Sequence, residues 1–105
     1  MRGDVYRLRA PRDARGHEQS GHRYGVVLQS DYLRLSSTLV APTSTAARPA
    51  SFRPEITLDG ITTRVLVEQT QAVDPEIRLG EFAGRLTQAE LQAVDRALVA
   101  VFDLD

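Results

Sequence analysis

One short stretch of this chain concentrates side chains that can carry out acid–base and phosphate chemistry. It supplies one carboxylate, two imidazoles and one guanidinium, from Glu18, His17, His22 and Arg23. An imidazole titrates near neutral pH, a carboxylate accepts a proton, and a guanidinium stays charged and pairs with phosphate in two places. The apolar run 26–28 follows, so a charged loop is tied directly to a strand, as at many working sites. The same stretch is also compatible with a solvated surface loop.

The remaining sequence offers no other recognisable catalytic apparatus. The chain contains no Cys, which excludes disulfides and thiolate metal sites. It has no phosphate-binding loop, no dinucleotide fingerprint and no convincing arrangement of Ser, His and Asp. His17 and His22 are five residues apart in a loop that contains glycine, which is not the spacing of a helical metal pair. We therefore expect neither a metal site nor a cofactor.

The net charge of −1 conceals a difference between the two halves of the chain. Residues 1–53 carry nine Arg against four acidic residues, a net of +5, and residues 54–105 carry four Arg against ten, a net of −6. Such asymmetry permits a basic face beside an acidic one. All thirteen basic residues are Arg. The planar guanidinium fork suits phosphate, although codon usage in a GC-rich genome is the simpler reason for the missing Lys.

Length and composition restrict the class of protein. The 105 residues predict one small domain, residues 1–105. A hydrophobic content of 42% and a charged content of 26% are ordinary for a globular protein. No apolar run approaches the roughly 20 residues that a membrane helix needs. The N-terminus shows no apolar signal-peptide region, so we expect a cytoplasmic protein without membrane association.

The elements that must position the candidate residues follow from periodicity and turn signals. Apolar alternation and helical spacing predict strands near residues 3–9, 24–30, 38–42, 55–58, 61–67 and 81–86, and a helix over 88–102. Thr87 and Glu90 form a capping box, Asp59-Gly60 predicts a hairpin, and residues 74–76 indicate a turn or a helix start. The chain is therefore predicted to be mainly β with helices (α+β), with a small curled sheet or barrel and a C-terminal amphipathic helix.

Four segments, in register over essentially the whole chain, resemble the MazF or PemK toxin family. The second segment combines a Gly-x-Glu element, a His-Arg pair and an aliphatic strand. The segments are Arg2-Gly3-Asp4-Val5-Tyr6, then Gly16 to Leu28, then Val40-Ala41-Pro42-Thr43-Ser44-Thr45, and Gly84-Arg85-Leu86-Thr87. The resemblance implies an SH3-like, PemK/CcdB-like barrel.

The resemblance also implies an activity. It implies the sequence-specific endoribonuclease toxin of a type II toxin–antitoxin system, acting without metal on single-stranded RNA. Cleavage through the 2′-hydroxyl would leave a 2′,3′-cyclic phosphate and a 5′-hydroxyl. The substrate would be messenger RNA, with transfer or ribosomal RNA as alternatives. A non-catalytic toxin of the same fold that poisons a protein such as DNA gyrase is a second hypothesis, and a small regulatory or structural barrel is a third.

The resemblance implies roles for three catalytic candidates. Arg23 occupies the position of the family's catalytic Arg, where it would clamp and neutralise the phosphate; a surface ion pair is the alternative. Ser44 matches the family's hydroxyl two residues after its central Pro, although a polar strand end would look the same. Glu18 matches the acidic residue of Gly-x-Glu and would accept the 2′-hydroxyl proton or orient Arg23.

The remaining candidates would bind RNA or share the catalytic roles. Thr43 and Thr45 neighbour Ser44 and compete with it for the hydroxyl role, while a persisting strand would turn them away from it. Tyr24 stands where the family usually has Pro and would stack on a base. The full set of RNA-binding candidates is Arg12, Arg15, His17, His22, Tyr24, Thr43, Thr45 and Gln69. The resemblance implies three partners: RNA, a cognate antitoxin and a second copy of the chain.

Overall fold

The computed structural model describes residues 1–10 and 23–104. Within them a curled antiparallel sheet is packed against a C-terminal helix. The strands are β1 (Asp4–Leu8), β2 (Tyr24–Val27), β3 (Thr38–Ser44), β4 (Glu55–Leu58), β5 (Ile61–Val65), β6 (Gln71–Val73) and β7 (Leu79–Arg85). The helices are α1 (Pro75–Arg78), α2 (Gln88–Phe102) and a 3₁₀ turn, Val67–Gln69. The predicted mainly β fold with a curled sheet and a C-terminal helix is confirmed.

The central strand of the sheet is β3. The strand order is β4-β5-β3-β2-β1-β7, and β6 also pairs with β3. Residues 38–40 of β3 pair with β6, whereas Thr43 and Ser44 pair with β5. Both partners lie on the edge of β3 that faces away from β2. The sheet therefore curls around β3, because one long strand passes from one partner to the next.

Apolar side chains cover both faces of the central strands. The larger cluster lies between the sheet and α2 and includes Val26, Ala41 and Val94. The smaller cluster, on the opposite face, is built on Val27, Val40 and Val73. Neighbouring residues of β2 and β3 thus enter different clusters, as the period of two in a strand requires. The second strand is therefore buried on both faces.

The turn and cap signals in the sequence were reliable. Asp59 and Gly60 have φ angles of 51° and 76° and connect β4 to β5, which is the type I′ geometry that Asp-Gly favours. Thr87 and Glu90 form the expected capping box at the start of α2. Asp74 caps α1, where its carboxylate accepts from the Glu76 N–H.

Some element boundaries differ from the prediction. β2 ends at Val27 and β5 at Val65, because the chain then turns away from the ladder. The continuation of β5 forms the 3₁₀ turn, and β6 was not predicted at all. Its three residues, Gln71–Val73, carry one buried apolar side chain and give almost no alternation signal. In the part of the chain that the structure describes, no helix is both long and apolar enough to cross a bilayer.

Candidate functional site

Arg23 and Ser44 each lie two residues beyond the last pair of the β2–β3 ladder. The ladder joins Gly25 to Pro42, Val26 to Ala41 and Val27 to Val40, and from Thr43 onwards β3 pairs with β5 on its other edge. The β2–β3 register, continued by two residues, would place Arg23 opposite Ser44. Arg23 is still held in the sheet, because its carbonyl accepts from the Leu8 N–H at 2.9 Å. In a regular antiparallel ladder two residues in that register share a face, with Cβ atoms roughly 5 Å apart.

The face that Arg23 and Ser44 share is the one with the smaller apolar cluster. Residues an even number apart along a strand share a face, and Arg23 is four residues before Val27 while Ser44 is four residues after Val40. Tyr24 lies on the other face, where it packs against the larger cluster. The two neighbours Arg23 and Tyr24 therefore point to opposite sides of the sheet.

The three adjacent hydroxyl residues, Thr43, Ser44 and Thr45, differ in burial and orientation. Thr43 is buried and faces away from Ser44, as strand alternation predicts. Thr45 lies beyond the end of β3 and is exposed, so alternation does not apply to it. Ser44 is half-buried, and its Oγ accepts from the Ala46 N–H at 3.1 Å. That bond uses a lone pair of the oxygen, which leaves the hydroxyl proton available for donation to a ligand.

The side chain of Arg23 is exposed. Among the residues that the structure describes, no hydrogen bond or ion pair engages its guanidinium. The surface ion pair that would explain Arg23 structurally is thus not found in those parts of the chain. An exposed guanidinium can donate two parallel N–H groups to a phosphate.

A pocket of about 270 Å³ lies where the ends of β2 and β3 meet the β4–β5 hairpin. Its lining residues are Tyr24, Thr43, Ser44, Thr45, Leu58, Asp59, Ile61 and Thr63. Four of them were site candidates from the sequence; the four from the hairpin were not. The sequence predicts the hairpin through Asp59-Gly60, but only the fold places its tip beside Ser44.

A second hollow, of about 480 Å³, lies between β1 and β7. Arg7 and Arg9 line it together with Gly80 and Glu81. The register shifts between Tyr6 and Leu8, so that Arg7 faces two residues of β7. A Cβ at Gly80 would lie 3.3 Å from the Arg7 Cβ, so glycine permits this close approach. Sequence reasoning missed this hollow, and the run of Arg in the N-terminal half was the signal for it.

Arg7 also connects the two hollows. Its guanidinium carbon lies 6.0 Å from the centroid of the Tyr24 ring, at the outer range of a cation–π contact. Arg7 and Tyr24 are paired across β1 and β2. The Tyr24 ring is thus positioned from β1 at the edge of the pocket.

Gln69 is exposed in the 3₁₀ turn, and the described lining of the pocket does not include it.

Glu68, the neighbour of Gln69, is held by an ion pair with Arg53. Glu68 Oε2 accepts from Arg53 Nη2 at 2.6 Å and from Arg53 Nε at 2.9 Å. Burial raises the pKa of Glu68, but the hydrogen bonds and charge of Arg53, together with further hydrogen bonds, outweigh this and hold the pKa below its ordinary value. The pair joins the segment before β4 to the turn after β5.

Five of the predicted residues lie outside the described part of the chain. They are Arg12, Arg15, His17, Glu18 and His22. Their roles remain predictions from the sequence. Within residues 1–10 and 23–104, no group of three or more His, Cys, Asp or Glu side chains could hold a metal ion.

Comparison with known proteins gives concordant results. Residues 1–102 match the family described as PemK-like, MazF-like toxin of type II toxin–antitoxin system. A candidate toxin of Mycobacterium tuberculosis is 38% identical over 104 residues, covering 99% of this chain and 98% of that protein.

Solved structures show the same fold. An endoribonuclease in complex with its cognate antitoxin, from Mycobacterial species, gives a TM-score of 0.81 at 17% identity, with 100% of this chain and 96% of that chain covered. MazF from Deinococcus radiodurans gives 0.76 at 21% identity, with 97% and 94% covered. At these identities the structures establish the fold that the resemblance implied.

The Arg53–Glu68 pair predicts a pH dependence of stability. Because the folded pKa of Glu68 is lowered, its ionisation stabilises the fold above the ordinary value of 4.5 and this stabilisation is lost as pH falls below it. Glu68→Gln should therefore be less stable than wild type at pH 7, and the difference should shrink towards pH 3. Urea unfolding at several pH values measures this. Glu81→Gln, which removes a carboxylate exposed on β7, is the matched control; equal pH profiles for wild type and Glu68→Gln would contradict the prediction.

Proposed function

Because this chain belongs to the PemK-like, MazF-like toxins of type II toxin–antitoxin systems, we propose that it is an endoribonuclease that cuts single-stranded RNA in the cytoplasm. The observation that supports the proposal is the β2–β3 register, which, continued by two residues, would bring the exposed Arg23 opposite the Ser44 hydroxyl. A protein that only binds and poisons another, such as DNA gyrase, has no need of that pair. The substrate class is messenger RNA, with structured RNAs as alternatives.

The proposed reaction uses a nucleophile from the substrate. The ribose 2′-hydroxyl loses its proton and attacks the adjacent phosphorus, which forms a pentacoordinate phosphorane with additional negative charge. The bond to the 5′-oxygen then breaks, and that oxygen takes up a proton. The products are a 2′,3′-cyclic phosphate and a free 5′-hydroxyl. The protein must hold the phosphate in line, stabilise the developing charge and move two protons.

Arg23 and Ser44 are assigned the electrostatic stabilisation of the phosphorane. The Arg23 guanidinium pairs with the non-bridging phosphate oxygens and stabilises the charge of the phosphorane. It keeps its own proton at ordinary pH, so it is not the general base. The Ser44 hydroxyl, whose oxygen already accepts from Ala46, donates its proton to a phosphate oxygen from the facing strand.

The proton transfers are assigned to the loop before β2. Glu18, His17 and His22 are the candidates for removing the 2′-hydroxyl proton and for protonating the 5′-oxygen. The loop runs into Arg23, so its last residues are close in sequence to the proposed phosphate site. No metal is required in this scheme, because Arg23 supplies the positive charge that a metal would otherwise provide.

Two protein partners complete the proposal. One is a cognate antitoxin, as in the endoribonuclease complex that shares this fold. Arg7, Arg9, Arg12 and Arg15 form a basic N-terminal set that would attract RNA phosphate and an acidic antitoxin segment alike. The other is a second copy of this chain. Tyr32, Leu33 and Leu35 are exposed on the β2–β3 connection, and apolar side chains so placed favour burial against a protein surface.

The function is tested directly by cleavage in EDTA. Purified protein is incubated with a long RNA in excess EDTA, and the new 5′-ends are mapped and tested for a hydroxyl. We expect cuts at one short sequence motif. A single 2′-deoxy substitution at the cut position should abolish that cut, because the nucleophile is then missing. Cleavage of the deoxy-substituted RNA at the normal rate would contradict the mechanism, and absence of any cleavage would contradict the function.

Arg23→Lys tests the guanidinium. Lysine keeps the charge but loses the planar fork, so kcat/KM should fall at least about tenfold, close to 1.4 kcal/mol of barrier. The unfolding midpoint should not change, because the side chain is exposed. Arg96→Lys, at an exposed position on α2, is the matched control and should cleave like wild type. Wild-type activity in Arg23→Lys would reduce Arg23 to a surface charge.

A further inference from the structure

The pocket beside Ser44 has the size and composition of a site for a single nucleobase. At about 270 Å³ it is smaller than the roughly 300–1,000 Å³ typical of pockets for drug-sized ligands. Its walls combine the Tyr24 ring and the aliphatic side chains of Leu58 and Ile61 with three threonine residues. Flat apolar walls with a few polar groups are what unpaired bases contact in RNA-binding proteins.

The pocket is continuous with the proposed reaction site through Ser44. Ser44 lines the pocket and also shares a face with Arg23 across β2 and β3. Tyr24 and Thr43 extend the pocket onto the other face of the same strand ends. The RNA would therefore pass around the strand ends, with one phosphate at Arg23 and Ser44 and a neighbouring base in the pocket.

Asp59 is the charged member of the lining. Among the described residues it takes part in no hydrogen bond or ion pair, and it is exposed at the hairpin tip. An ionised carboxylate only accepts hydrogen bonds, and its two oxygens can accept from two neighbouring donors. Asp59 would therefore select a base that carries two neighbouring N–H donors on one edge.

The hairpin holds Asp59 in a defined place. Residues 55–58 and 61–64 pair one to one, and only Asp59 and Gly60 form the turn. Their φ angles of 51° and 76° belong to a tight type I′ turn. A recognition group on a short, paired hairpin is positioned more accurately than one on a long loop.

We propose that this pocket is the base-specificity subsite of the enzyme and that it takes guanine next to the cut phosphate. The proposal rests on the proposed function. Among the four RNA bases, only guanine presents two adjacent N–H donors, N1–H and the 2-amino group, on its Watson–Crick edge. Both can bond the two Asp59 oxygens. Adenine and cytosine present one amino group beside an acceptor nitrogen, which the carboxylate repels, and uracil presents one donor between two carbonyls.

The test separates the base contact from catalysis. Once the motif is mapped, inosine replaces guanine at the position next to the cut, which removes the 2-amino donor alone. We expect kcat/KM of the wild type to fall at least about tenfold, the effect of losing one hydrogen bond to a charged group. Asp59→Asn keeps an Asn-Gly turn, so the hairpin is preserved. This variant should cleave the guanine RNA more slowly and should not distinguish guanine from inosine.

Asp103→Asn is the matched control. Asp103 is also an exposed Asp with positive φ, 56°, but it lies at the end of α2, outside the pocket. It should discriminate against inosine like the wild type. A motif without guanine next to the cut, or an Asp59→Asn variant with unchanged preference, would overturn the subsite while leaving the nuclease proposal intact.

A binding measurement keeps the subsite testable if no RNA is cleaved. Fluorescein-labelled 2′-O-methyl trinucleotides with the sequences UGU and UIU are titrated into the protein, and anisotropy gives Kd. The wild type should bind UGU at least about tenfold more tightly than UIU, and Asp59→Asn should bind both alike. Equal wild-type affinities overturn the proposal.

Discussion

The register between β2 and β3 is the constraint on which the site depends. Side chains alternate along a strand, so a slip of one residue would move Arg23 to the face of Tyr24 and away from Ser44. Burial prevents that slip. Val26 and Ala41 enter the larger cluster while Val27 and Val40 enter the smaller one, and a shift would misplace all four.

The elements around this pair form the walls of the site. β1 holds the Arg23 backbone and positions the Tyr24 ring through Arg7. The β4–β5 hairpin contributes the other side of the pocket and is connected to α2, where Glu90 accepts from the Thr57 N–H. Arg53 and Glu68 connect the flanks of that hairpin. The site is thus formed by strand ends and one turn, supported by charged pairs that are only partly buried.

The sequence predicted the elements whose signals are local. The capping box located the start of α2, and Asp59-Gly60 located a hairpin. Arg23 and Ser44 were predicted from the family resemblance, not from a local signal. The sequence did not predict arrangements that depend on contacts between distant segments. The alternation of Thr43 and Ser44 gave no indication that a hairpin tip would face them, and the bulge opposite Arg7 depends on pairing between β1 and β7. Glu18, His17 and His22 lie outside the described residues, so the identity of the catalytic general base remains a prediction.

A double-mutant cycle on RNA cleavage tests most directly whether Arg23 and Ser44 act on one phosphate. The rates of wild type, Arg23→Lys, Ser44→Ala and the double variant are compared, with a second cycle in which Thr45→Ala replaces Ser44→Ala. Groups that act together on one transition state have non-additive effects. We expect a coupling of at least about 1 kcal/mol between Arg23 and Ser44, and additivity within about 0.5 kcal/mol for Arg23 and Thr45. Additive losses in the Arg23 and Ser44 cycle would contradict a shared phosphate site across β2 and β3.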